Sequence, residues 1–260
     1  MEEGLGASLC QPGAIAKRVN GGWSLNGRKI FISGGDIASS ITVFAALERE
    51  GLESWTCFLV QRGMPGFEVV RTELKMGMRA SGAAELAFHD LFVPDQHVIG
   101  APRHGWAINR ATLNASRYAV AGMGVGLAQG ATEAALDFAC RTELAGKALI
   151  HFQEVQLQIA DMISETCALR GLLWQACRGA HVARQDTSAM CKFQCTDRAV
   201  HVVELALDLM GNAGTLHHLG VEKSYRDARL TQIFEGTNQI NRLALIEDQQ
   251  EELLTRLKHN

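Results

Sequence analysis

No proline occurs after residue 102 of this 260-residue chain; Pro12, Pro65, Pro94 and Pro102 account for all four. Proline lacks a backbone donor and clashes with the preceding helical turn, so the back of the chain reads as helical. The front, which also holds 14 of the 26 glycines, reads as strands and turns. A strong charge of either sign is missing too. With 25 Lys+Arg against 28 Asp+Glu the net charge is −3, so nucleic acid is not expected as a partner. Long apolar runs are absent: even residues 202–210 are interrupted by Glu204 and Asp208, short of the roughly 18 to 20 residues that a bilayer crossing needs, and no membrane span is expected. Met1-Glu2-Glu3-Gly4 carries neither the basic nor the apolar stretch of a secretory signal. The seven cysteines (Cys10, Cys57, Cys140, Cys167, Cys177, Cys191, Cys195) are dispersed, which suits reduced thiols in a cytosol-like compartment better than a disulfide framework.

What is present divides the chain in two. Residues 23–25 and 28–32 flank Asn26-Gly27, a pair that tolerates positive φ, and predict a hairpin. Further β-branched or aromatic runs at 41–47, 55–60, 67–74 and 84–93 predict strands, so residues 14–94 read as a small β-barrel or a pair of packed sheets. Apolar residues at three- and four-residue spacing predict helices near 105–143, 148–180, 187–211 and 238–257, with Gly146, Gln185-Asp186-Thr187 and Gly211-Asn212-Ala213-Gly214 as breaks. The expectation is an α+β chain: a β-domain over 1–102, then an antiparallel four-helix bundle over 103–260, with 202–210 central because it is apolar almost all round.

Most motif-like features have a plain structural reading. Gly122, Gly124 and Gly126 fall inside a helix rather than after a strand, which favours close helix packing over dinucleotide binding. Cys191 and Cys195 lie one turn apart without further ligands at metal spacing, which favours buried thiols. His217-His218 reads as a surface loop, and no histidine has a Ser or Cys partner that would indicate nucleophilic hydrolysis. The stretch 225–240 differs: Glu235 stands between Phe234 and Gly236, flanked by Ile233 and Ile240, at the start of a helix. Low-polarity surroundings make a carboxylate a better general base, and a glycine lets a backbone N–H approach a ligand. The same residues also fit a plain helix cap by Thr237 or Asn238, with Glu235 merely exposed.

Phe234-Glu235-Gly236-Thr237 resembles the active-site segment of the acyl-CoA dehydrogenase family. Other blocks resemble that family in the same order: residues 29–35, which include Phe31, Ile32 and Ser33; 75–81; 85–94; 116–129; and 146–153. The resemblance implies a flavoprotein oxidoreductase of fatty acid metabolism that binds FAD and an acyl-CoA. Glu235 is then the base that removes the α-proton, while Phe31, Ile32, Ser33, Thr237 and Gln239 meet the flavin and Asn114, Arg117 and Gly236 the substrate. Gln153 and Gly211 match positions that hold the rest of the cofactor, and Arg141 is expected to substitute for a displaced arginine there. It further implies an electron-transferring flavoprotein as acceptor, a homo-oligomer (dimer or tetramer), and a bacterial cytoplasmic or mitochondrial matrix location.

The chain departs from the family pattern at Thr142, where an arginine is usual and Arg141 stands one position early, and at Ala145, Asp208 and Asn212. Gly4-Leu5-Gly6-Ala7-Ser8 is a degraded form of a flavin and substrate loop. These departures favour an alternative, a half-site or scaffold subunit of a hetero-oligomer, and the sequence does not separate dehydrogenase from oxidase. Family members also carry an N-terminal helical domain ahead of the β-domain, so the chain is expected to represent the last two parts of a three-domain fold.

Overall fold

The computed structural model describes residues 13–47, 51–178 and 185–259. The Gly4–Ser8 loop and Cys10 lie outside the described residues. Two compact units emerge: one takes the residues up to Lys75 together with Arg79–Thr112, the other takes Met76–Met78 and everything from Leu113.

The first unit is one mixed sheet of seven strands: β1 (Ala14–Val19), β2 (Gly22–Ser33), β3 (Ser40–Ala46), β4 (Trp55–Gln61), β5 (Phe67–Thr72), β6 (Ala83–Pro94) and β7 (Val98–Ile99), in the order β5-β6-β2-β1-β3-β4-β7. Neighbours run antiparallel except β1 and β3, which meet in parallel through Ile15 and Ala46. The sheet is open, with β5 and β7 at its edges, and is not closed as a barrel. Its apolar residues gather in one cluster that includes Trp23, Leu25, Val43, Phe58, Leu86, Phe88 and Leu91. Burial of each such large side chain stabilises the fold by about 1.5–3 kcal/mol. Glu85 on β6 is fully buried, and Arg28 of β2 and Arg71 of β5 neutralise it from the two flanking strands, at 2.9 and 2.8 Å.

The hairpin turn differs from the sequence expectation. Asn26-Gly27 does not reverse the chain; it lies inside the continuous strand β2, and the turn is Asn20-Gly21, where Val19 pairs with Gly22. Both pairs have the same turn chemistry, but at Gly27 a Cβ would meet the Gly13 carbonyl oxygen at 2.1 Å, and Arg28 N–H donates to that oxygen. Glycine is there for close backbone approach at an irregularity in the β2–β6 register. A second irregularity, between Lys29 and Ile32, holds Phe31 at φ +59 and leaves its ring 46% exposed. A bulge re-aims a side chain in this way while Ile32 stays against the sheet core.

In the second unit α1 (Gly105–Arg141) leads through a short hairpin, β8 (Glu143–Leu144) and β9 (Lys147–Ala148), into α2 (Gln153–Arg178). Then follow α3 (Gln185–Met210), α4 (Val221–Thr231) and α5 (Asn238–His259). The expected α+β order holds, with a fifth helix beyond the four long ones. α4 is short, and its many charges (Glu222, Lys223, Arg226, Asp227, Arg229) hide the apolar period, although Val221, Asp227, Ala228 and Thr231 are buried. The core joins Ala128, Ala131 and Ala135 of α1 to Met162 of α2 and to Ala199, Val202, Val203 and Ala206 of α3. The central place expected for 202–210 follows from this packing. Cys191 and Cys195 are buried beside Tyr118, and the hydrogen bond with Cys195, together with burial, pushes the Cys191 thiol up. Among the described residues no helix is long and apolar enough to cross a membrane.

Of Gly122, Gly124 and Gly126, Gly124 is the point of close packing: a Cβ there would lie 2.8 Å from the Cys195 carbonyl oxygen on α3. Backbone cannot yield as a side chain does, so overpacking at this site costs about 1–3 kcal/mol. Gly124→Ala is therefore expected to lower the Tm by several degrees, whereas Gly126→Ala, which meets nothing within 4 Å, leaves it nearly unchanged; thermal melts of the two variants check this.

Candidate active site

The loop between α4 and α5 carries the segment Gln232–Thr237 and is built against local preference. Glu235 has φ +55 and Gly236 φ +82, two left-handed residues in succession. Glycine adopts this without penalty, whereas a side-chain-bearing residue there costs about 1–3 kcal/mol. Such strain persists only where the surroundings over-determine the backbone.

Helices α3 and α5 supply that constraint. Lys192 of α3, with no solvent exposure, donates from Nζ to the Gly236 carbonyl oxygen at 2.8 Å and to Asn238 Oδ1 at 2.7 Å. Asn241 Nδ2, one turn into α5, donates to the same Gly236 oxygen at 2.8 Å and to the Thr237 carbonyl at 3.1 Å. Asn238 Nδ2 reaches back to Thr196 Oγ1 at 2.8 Å and Asp197 Oδ1 at 2.6 Å. Asp197 also receives Gln232 from the start of the loop and Arg242 from α5, each at 2.6 Å. Burial opposes charge on Asp197, yet the hydrogen bonds from Arg242, Asn238 and Gln232 hold its carboxyl below the usual range.

Glu235 is half-buried, and Ser116 of α1 donates its hydroxyl to Oε2 at 2.7 Å. Arg117 is buried on the same helix, donates to Asn114 Oδ1 at 3.0 Å, and has Nη2 3.9 Å from where a Cβ on Gly236 would stand. Asn114 and Arg117 of α1 are thus brought together with Glu235 and Gly236 of the α4–α5 loop. Thr237 Oγ1 accepts from the Ile240 N–H at 3.3 Å and so caps α5, while Gln239 is exposed. Thr237 thus forms the cap, while Glu235 is half-buried rather than merely exposed.

The other expected residues lie elsewhere. Phe31 and Ser33 are exposed on β2 and Ile32 is half-buried. Arg141 is the last residue of α1 and pairs with Asp137 at 2.7 Å; Gln153 opens α2, and Gly211, with φ +55, ends α3. Gln153 and Gly211 are exposed.

Residues 2–91 match the acyl-CoA dehydrogenase middle domain, and residues 103–249 match the acyl-CoA dehydrogenase C-terminal domain. The chain belongs to the acyl-CoA dehydrogenase family. It is 34% identical over 245 residues to the acryloyl-CoA reductase (NADH) of Anaerotignum propionicum, covering 93% of this chain and 62% of that protein. It is 32% identical over 247 residues to the mitochondrial short-chain specific acyl-CoA dehydrogenase of Rattus norvegicus, covering 94% and 60%. The butyryl-CoA dehydrogenase structure from Megasphaera elsdenii shares the fold with a TM-score of 0.88 at 32% identity, over 91% of this chain and 63% of that one. A chain in the structure of the electron transferring flavoprotein of Acidaminococcus fermentans gives a TM-score of 0.92 at 32% identity, over 95% and 66%. The chain spans 62%, 59% and 65% of the length of three curated relatives that it matches.

Within this family member the sequence reading passed over Ser116, Lys192, Asn238 and Asn241 as site residues. A signal for Lys192 was there: with Ser188, Cys195, Ala199, Val202 and Ala206 it falls on the buried stripe of α3, where a lysine needs partners. Burial first, and then the positive charge of Arg117, push the Lys192 ammonium down to about 7, with Asp197 and Glu235 pulling the other way. Between about pH 7 and the ordinary lysine value the unfolded chain holds one more proton than the folded one, so this group makes stability rise with pH across that window. Lys192→Met removes that contribution and is expected to flatten the rise, which urea unfolding over the same pH range measures.

Proposed function

We propose that the protein is an acyl-CoA dehydrogenase in which Glu235 removes the α-proton of an acyl-CoA thioester. The observation that carries this reading is a half-buried carboxylate on a strained, over-determined loop, with a hydroxyl donor 2.7 Å from one oxygen. An α-proton beside a thioester is weakly acidic, so its removal requires a positioned base and donors where enolate charge develops on the carbonyl oxygen. In this reading the Glu235 carboxylate takes the proton and its backbone N–H faces the thioester oxygen, a direction that the left-handed conformation sets. Arg117 and Asn114 line the same side and, with Gly236, bound the substrate. Ser116 fixes one carboxylate oxygen and leaves the other for the proton.

The cofactor in this reading is FAD, and the residues present fit it. The Phe31 ring, lifted off the sheet by a bulge and left exposed, suits an aromatic face, and Ser33 beside it offers a hydroxyl. Ile32 packs against the sheet core beside them, and in this reading Thr237 and Gln239 of the catalytic segment, with Arg141, Gln153 and Gly211, are further cofactor residues. When bound, FAD supplies the oxidising equivalent by accepting the β-hydrogen as a hydride, so that a 2-enoyl-CoA results. Reoxidation by an electron-transferring flavoprotein, a homo-oligomeric assembly and a bacterial cytoplasmic or mitochondrial matrix setting complete the proposal.

Glu235→Gln keeps the shape and removes the base. It is expected to retain FAD and fold while losing α-proton abstraction by about 10²–10⁴-fold or more, read as anaerobic flavin bleaching by acyl-CoA. Turnover at the original rate would refute the assignment of the base. Phe31→Ala is expected to raise the Kd for FAD by about three- to tenfold in a fluorescence titration, and an unchanged Kd would remove Phe31 from the cofactor site. A hetero-oligomeric half-site subunit would instead fail to bind FAD stoichiometrically as a homo-oligomer.

A further inference from the structure

We infer that Lys192 is a positioning residue for the reaction: its two donated hydrogen bonds, to the Gly236 carbonyl and to Asn238 Oδ1, hold Glu235 in the left-handed conformation that presents its carboxylate and backbone N–H to the substrate. This rests on Glu235 acting as the base. Three observations carry it. The strain is local, since Glu235 is the side-chain-bearing member of the left-handed pair, and a backbone in that region relaxes unless it is held. The holding point is adjacent, because the carbonyl that Lys192 grips belongs to Gly236, whose peptide plane sets the neighbouring ψ of Glu235's successor and is shared with Thr237. The choice of residue is costly, because Lys192 has no solvent exposure on a stripe otherwise filled by Ser188, Cys195, Ala199 and Val202, where an apolar side chain packs without desolvating a charge.

Asn241 also donates to the Gly236 oxygen, yet it stands on α5, the helix that the loop itself leads into. Lys192 stands on α3 and ties the loop to a different element. The charged groups facing its ammonium are Arg117 from α1, Asp197 from its own helix and Glu235 from the loop. Opposing charges therefore surround it, and the two directed hydrogen bonds, rather than one ion pair, define its place.

The test uses the FAD-loaded protein and three variants, Lys192→Met, Lys192→Gln and Glu235→Gln. Methionine matches the stem and removes the donor; kcat is expected to fall about 10²-fold while KM for the acyl-CoA stays within about threefold. Independently of activity, the backbone amides of 232–241 are expected to exchange with deuterium about tenfold faster, with helix α1 unchanged, since both hydrogen bonds from the buried amine are lost. Lys192→Gln retains an N–H donor and is expected to recover part of both losses. Wild-type kcat and exchange in Lys192→Met, or a glutamine variant no better than methionine, overturns the inference. Should the methionine variant not fold, Lys192→Leu is read by the same two measurements with the same outcomes. If Glu235→Gln keeps full turnover, the base assignment fails, while the exchange data still decide whether Lys192 holds the loop.

Discussion

The carbonyl oxygen of Gly236 is the point on which the site depends. It accepts from Lys192 of α3 and from Asn241 of α5, both at 2.8 Å, and so fixes the Gly236–Thr237 peptide, one residue beyond the strained Glu235. These donors work against the intrinsic preference of a side-chain-bearing residue, which disfavours φ +55 by about 1–3 kcal/mol. The bundle core beneath contributes rigidity. Small residues on α1 and buried valines on α3 keep the helices close enough for Lys192 to reach the loop and for Ser116 to reach the Glu235 carboxylate.

The elements divide the work by physical type. α4 delivers the chain to the loop, α5 receives it through the Thr237 cap, α3 clamps it through Lys192, Thr196 and Asp197, and α1 meets the carboxylate with Ser116. Asp197 gathers Gln232, Asn238 and Arg242, so one half-buried carboxylate ties the beginning of the loop to the helix that follows it. The sheet unit has its own device: a register irregularity turns Phe31 away from the core while the strand continues on both sides. Both places set a side-chain-bearing residue, Phe31 or Glu235, in a left-handed conformation on a regular scaffold, an arrangement that fixes a side chain more tightly than a mobile loop does.

Legibility followed the range of the interaction. The long helices were readable because their apolar period is local, and the strands because β-branched residues cluster between turn residues. α4 was not, since most of its residues are charged and its few buried positions are too sparse for a period to emerge. The Asn26-Gly27 hairpin was misplaced because Asn20-Gly21 has the same chemistry six residues earlier, and what separates the two is the Gly13 backbone lying against Gly27. Glu235 was found through its neighbours in sequence. Lys192, Ser116 and Asn241 were not, since each joins the site from another helix.

By itself the sequence determined the division into a strand-rich front and a helical back, the membership of Glu235 in a distinctive segment, and the expectation of a flavin-dependent reaction, all of which depend on residue order along the chain. Tertiary structure decided that the sheet stays open, that Phe31 faces outward, and that Glu235 is held left-handed by a lysine 43 positions away. The reason is that backbone strain and buried charge acquire their partners only when distant segments pack, and those partners leave no trace in local periodicity.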